Sequence, residues 1–262
     1  MKNLIDNTVD VSPVPARLDV AQSVTGLILA VFMWVHLFLV SSILLGKKAM
    51  YYVTGFFELR FLTGWTHGYP VIVSIIGIIV FTIFIIHAGI AVRKFPISWR
   101  QHRIIRHQMG MMKHSDTNLW YWQVVTGFIM FFLGSVHLYV MISHPDKIGP
   151  YASSDRFVSE YFWPLYLVLL IAVELHATIG MYRLAVKWLS LKGKNPKSTR
   201  SRLKALKNAL TVFFLVVGAL TFATYMRIGL EHRGDAGGRY HPAEHSSTTK
   251  EATDVSQGGE GE

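Results

Sequence analysis

The hydrophobic pattern divides the chain into five long apolar runs joined by polar connections. The runs fall roughly at Val20–Leu45, Pro70–Arg93, Thr117–Ile142, Tyr161–Trp188 and Ala205–Leu230. Each holds about twenty or more mostly apolar residues, the length an α-helix needs to cross a bilayer. The pattern predicts an all-α integral membrane bundle of five transmembrane helices. Asp19 is a candidate N-cap for the first helix, and Pro70 suits the first turn of the second, where its missing N–H costs nothing. The connection Gly46–Tyr69 is long and half apolar, which predicts a short interfacial helix. The segment after Arg93 is basic and partly amphipathic, and the stretch from Ser143 to about Glu160 reads as a loop. Three regions follow: an N-terminal segment (1–19), a five-helix domain (20–230) and a Gly-, Ser- and Thr-rich tail (231–262) expected to be disordered.

Charge orients the bundle. Only 16% of residues are charged, and the net charge is +10. The connections between runs 2 and 3 and between runs 4 and 5 carry fourteen Lys and Arg, against five in the opposite connections. Positive charge collects on the cytoplasmic side, so the N-terminus is expected in the cytoplasm and the C-terminus in the periplasm. The same surplus fits anionic headgroups in a bacterial inner membrane rather than nucleic acid. The N-terminal residues lack the apolar core of a cleavable signal peptide.

Candidate chemistry sits inside the runs. Four of the twelve histidines lie there: His36 in VFMWVHLFLV, His87 in FIIHAGIA, His137 in LGSVHLYVM and His176 in AVELHATIG. Ionisable side chains at membrane depth are costly and stay where they have a partner or a task. His36 lies about 24 Å along an outward-running helix, and His137 is at a comparable height. His87 and His176 lie on inward-running helices, toward the cytoplasmic side. Depth therefore pairs His36 with His137 (outer) and His87 with His176 (inner), a ligand set for two b-type haems. Interhelical hydrogen bonding is the competing role for such histidines. Cysteine is absent, which excludes covalent c-type haem and cysteine-ligated clusters in this chain. Haem propionates need donors near the membrane surfaces; Arg156 is a candidate at the outer end, and Gln22, Ser23, Trp120 and Lys187 at the inner end. Glu174 is the one acidic residue well inside a run, where a buried carboxyl serves as a proton relay or as a protonated structural hydrogen bonder. Finally, TGLILAVFMWVHLFLVSS (25–42) and TGFIMFFLGSVHLYVMIS (126–143) echo each other at a spacing of 101 residues. A weaker echo links His87-Ala88 with His176-Ala177.

These motifs, with FELRF, FIIHAGIAVRKFPI, WPLYLVLLIAVELH and YRLAVKW, resemble the di-haem cytochrome b membrane anchor of quinol:fumarate reductases, over most of residues 17–230. The resemblance implies a menaquinol-oxidising subunit docked, on its cytoplasmic face, to a flavoprotein carrying FAD and an iron–sulfur protein that together reduce fumarate to succinate. It implies the same histidine pairing and the same propionate partners. It matches Glu58, in FFELRF, to the acidic residue at the menaquinol site, and Glu174 to an intramembrane glutamate on a proton path. The assembly, a dimer of heterotrimers among the options, stays open. So does the direction, since succinate oxidation as a succinate dehydrogenase uses the same parts. The haem b anchor of a hydrogenase or formate dehydrogenase is the rival within electron transfer, and a transporter or scaffold the rival outside it.

Overall fold

The computed structural model describes residues 12–96, 98–112, 115–189 and 196–242. The expectations for residues 1–11 and 243–262, and the charges of Lys113, Lys192 and Lys194, lie outside the described residues. Eight α-helices and no strand are present among the described residues: α1 Val14–Val40, α2 Lys47–Phe57, α3 Val71–Val92, α4 Trp99–Met112, α5 Ser115–Ser143, α6 Pro150–Val158, α7 Trp163–Trp188 and α8 Pro196–Glu231. Five of them (α1 with its 3-10 extension, α3, α5, α7 and α8) are long and apolar enough to cross a membrane. The shortest, α3, has 22 residues, about 33 Å at the helical rise. None of its residues is buried within the chain, an apolar surface that water would not tolerate and lipid would cover.

Neighbouring contacts run α1 to α3, α3 to α5, α5 to α7 and α7 back to α1, so these four helices close a ring. In that ring α1 stands diagonally across from α5, and α3 across from α7. The fifth span, α8, has no intramembrane histidine and packs outside the ring, chiefly against α7 and α6. One end of the bundle, the basic end, gathers Arg93, Lys94, Lys187 and Lys204. The other, the Glu58 end, is roofed by α2 and α6.

Helix ends differ from expectation where turn chemistry overrides composition. The first helix begins at Val14, with Pro15 in its first turn and no side-chain cap. Asp19 caps nothing; it is drawn instead into ion pairs with Arg93, Lys94 (2.8 Å) and Lys187 (3.4 Å). The stretch expected to be a loop before Glu160 contains α6, started by Gly149 (φ 150°) and Pro150 at its first turn. The basic segment before Ala205 is helical from Pro196, because lysine and arginine are good helix formers. The tail also departs from the expected disorder at its start: Arg233–Asp235 form a 3-10 turn, and buried Asp155 gathers this segment through His232 and the Gly237 N–H.

Close helix approach ties α8 to α6. A Cβ on Gly229 would lie 2.5 Å from the Ser154 carbonyl oxygen and 2.7 Å from Val158 Cγ2. Nearby, Ile43, Met50, Tyr225 and Ile228 form an apolar cluster that joins α2 to α8, with Tyr151 and Phe157 of α6 packed against it. Buried Thr221 donates to Ser41 Oγ at 2.9 Å beside it. Gly229→Val is expected to lower stability by about 1–3 kcal/mol through overpacking, read as a fall in Tm in detergent.

Candidate functional site

The ring diagonals carry the four intramembrane histidines. His36 on α1 faces His137 on α5 with ring centroids 6.3 Å apart, and His87 on α3 faces His176 on α7 at 6.5 Å. Two imidazoles on opposite sides of one metal, at about 2 Å per bond, put their centroids roughly 6 Å apart. The spacing of each pair could thus admit one metal between its rings. No group of three or more His, Asp or Glu converges among the described residues; each pair could supply two ligands to a cofactor.

The basic-end pair opens on a cavity of about 400 Å³. Gln22, Ser23, Trp120 and Lys187 all line it with His87 and His176, so the structure brings these sequence-derived candidates together. Gln22 Oε1 is buried there without a hydrogen-bond partner, while Ser23 Oγ accepts the Trp188 indole N–H at 2.9 Å. The ring orientation is built by the repeated Thr-Gly. Thr25 donates its own proton to the Ala21 carbonyl (2.8 Å), so its oxygen at 3.0 Å from His87 Nδ1 acts as acceptor. Thr126 donates likewise to Trp122 O, and His176 Nδ1 faces Gln123 O at 2.9 Å and Thr126 Oγ1 at 3.4 Å. With Nδ1–H committed to these oxygens, Nε2 of each ring keeps its lone pair for a metal. Gly26 and Gly127 supply the space: a Cβ on either would sit 3.0 Å from Cε1 of His87 or His176.

Around the other pair, Tyr166 lies edge-on to His137 at 5.6 Å, under Phe157 of α6. His137 Nδ1 is buried with no partner among the described residues. Arg156 is 3% exposed; it donates through Nη2 to the Lys147 carbonyl at 2.7 Å, and its buried Nε makes no hydrogen bond but lies 4.0 Å from Glu160 Oε2. A buried guanidinium with spare donors suits an anionic ligand.

Glu58 and Glu174 occupy separate places. Glu58 ends α2 and is 2% exposed, with Arg60 Nε on its Oε2 at 2.8 Å. The turn that folds around it holds Leu59 (φ 56°) and Trp65 (φ 68°) in the left-handed region, backbone strain of the kind found at functional sites. A Cβ on Gly68 would come 2.5 Å from Glu58 Oε2, so glycine is needed there. Burial alone would lower the Arg60 guanidinium pKa, but its bonds to Glu58 and Tyr51 raise it above the ordinary value. Glu174 is fully buried, with neither carboxyl oxygen hydrogen-bonded. It does not line the cavity, as its offset of two residues from His176 requires.

Comparison with known proteins gives this arrangement a family. Residues 99–217 match the model of the succinate dehydrogenase/fumarate reductase transmembrane subunit. A fumarate reductase cytochrome b subunit of Wolinella succinogenes is 53% identical over 220 residues, covering 84% of this chain and 85% of its own length. One from Helicobacter pylori is 47% identical over 241 residues, covering 88% and 92%. The chain belongs to the succinate dehydrogenase/fumarate reductase transmembrane subunit family. Within this family member, sequence reasoning passed over Asp19, Lys94, Gln123 and Arg183, all of which line the basic-end cavity. Arg183 was legible, since it lies two turns from His176 on the same face. The Thr-Gly echo was visible as a repeat, but its task is a contact between helices and so could not be read along one.

Gly26→Val and Gly127→Val are expected to displace His87 and His176 without touching the Glu58-end pair. Reduced-minus-oxidised visible spectra of membranes check this: absorbance owed to the basic-end pair should be lost and the remainder kept.

Proposed function

We propose that this chain is the quinol-oxidising membrane subunit of a fumarate reductase. In this reading it holds two b haems, takes electrons from menaquinol and passes them to a partner iron–sulfur protein and flavoprotein that reduce fumarate to succinate. The observation that carries it is the pair of facing histidines on each ring diagonal, at 6.3 and 6.5 Å. The relatives' descriptions as fumarate reductase cytochrome b subunits support the same activity. Haem iron held by two imidazoles supplies one-electron transfer with no covalent link to the chain. The absence of cysteine assigns iron–sulfur clusters, and the flavin chemistry they feed, to partner subunits.

The chain's own residues divide the work. His36 and His137 hold one iron, His87 and His176 the other. Arg156 at one end, and Gln22, Ser23, Trp120 and Lys187 at the other, bind propionates; Lys187 is then shared between Asp19 and its ligand. The Lys and Arg bias assigns the basic end and the N-terminus to the cytoplasm, where the partners dock, and leaves the Glu58 end in the periplasm. There Glu58 accepts a proton from the quinol hydroxyl, held in place by Arg60. Glu174, buried on the α7 face away from the cavity, is the candidate to carry a proton through the membrane.

The family's own description includes succinate dehydrogenase, and the same residues serve succinate oxidation in the reverse direction. A redox titration of the purified complex, with analysis of its bound quinone, tests the haem count and separates the two directions. Absence of b-type bands would leave the histidines as the polar glue of a transporter or scaffold. Glu58→Gln is expected to abolish quinol oxidation while leaving haem absorbance and dye-driven fumarate reduction intact. Unimpaired quinol turnover in that variant would remove Glu58 from the mechanism.

A further inference from the structure

The C-terminal segment beyond α8 has no part in holding haem or in the bundle core, yet it is tied down at several points. Asp155 of α6 is 6% exposed, and both its carboxyl oxygens are taken by this segment. His232 Nδ1 lies 3.0 Å from Oδ1, and the Gly237 N–H donates to Oδ2 at 2.9 Å. One helical turn before Asp155, Tyr151 stacks on the His232 ring at 3.9 Å between centroids, 9° from parallel. The Arg239–Asp146 ion pair, at 3.6 Å and half exposed, adds little because solvent screens it. The anchor is thus the buried Asp155–His232–Tyr151 group.

What this anchor carries is Tyr240. Its ring meets Tyr151 edge-on at 5.5 Å and Tyr51 at 6.0 Å. Tyr51 in turn takes Arg60 in two ways: its hydroxyl accepts from Nη1 at 3.0 Å, and its ring lies 5.1 Å under the guanidinium. Arg60 reaches Glu58 through the remaining Nε, at 2.8 Å. Burial, with Tyr151 and Tyr52 beside it, pushes the Tyr240 phenol pKa up, so the ring enters these contacts uncharged.

We propose that residues His232–Tyr240 form a positioning element for the quinol site: anchored on Asp155, the segment presses Tyr240 against Tyr51 and so fixes the Arg60 guanidinium that holds Glu58. The inference rests on the reading that Glu58 serves the quinol. Tyr240 touches no reacting atom; it acts through Tyr51 and Arg60. The order of the aromatic rings explains why a segment after the last span packs on a helix between the first and second.

The test uses the intact complex in membranes, assayed with a short-chain naphthoquinol. Tyr240→Ala is expected to raise the KM for the naphthoquinol roughly fivefold, the scale of one lost aromatic contact. Haem absorbance and dye-driven fumarate reduction should stay unchanged. Tyr240→Phe keeps the ring and should restore the KM, and His232→Ala, which removes the anchor, should raise it in the same direction. An unchanged KM in both Tyr240→Ala and His232→Ala, with Glu58→Gln inactive toward quinol, overturns the positioning role alone. If Glu58→Gln oxidises quinol normally, the Glu58 reading fails instead, and the two failures are told apart.

Discussion

Facing imidazoles hold this bundle open. Two rings whose centroids stay above 6 Å apart keep α1 from α5 and α3 from α7, where an ordinary bundle would close on apolar contacts. The ring helices pack along the ring and against α8 and the roof helices rather than across the diagonals, display apolar surface to lipid, and place some of their tightest packing elsewhere. Ala172 and Ile179 of α7 are buried away from the cavity, and the close approach of Gly229 to α6 lies outside the ring altogether. Stability and chemistry thus occupy different parts of one small molecule.

The two histidine pairs are supported unequally. At the basic end each ring has a backbone or hydroxyl oxygen fixing its Nδ1 side, and a glycine making room. At the Glu58 end, aromatic neighbours and a buried guanidinium surround His137, whose Nδ1 has no such oxygen. Hydrogen bonding to an imidazole would tune the electronics of any metal it held. One residue type, histidine, therefore meets two distinct environments at two depths.

Much of this was legible in the sequence because membrane spans obey a simple length rule and histidine at depth is rare. The five spans come from the length of the apolar runs, and the juxtaposition of His36 with His137 and of His87 with His176 comes from depth. Helix ends were less legible. Asp19 looks like a cap until three cations, two just after α3 and one on α7, arrive, and α6 depends on a Gly149–Pro150 start inside a stretch too polar to read as helix. Neither the partner of the Thr-Gly pairs nor the anchoring of His232 is encoded locally. Both are contacts between segments far apart in the chain, invisible to any periodicity.

The diagonal arrangement also fixes an order of events during synthesis. Each pair takes one histidine from the first half of the chain and one from the second, so an isolated α1–α3 hairpin contains neither centre. The Glu58-end pair first exists when α5 has entered the membrane, and the basic-end pair only after α7. A ribosome must therefore deliver more than half of the polypeptide before the first pair forms and α7 before the second, and the early half waits in the bilayer with two unpaired imidazoles.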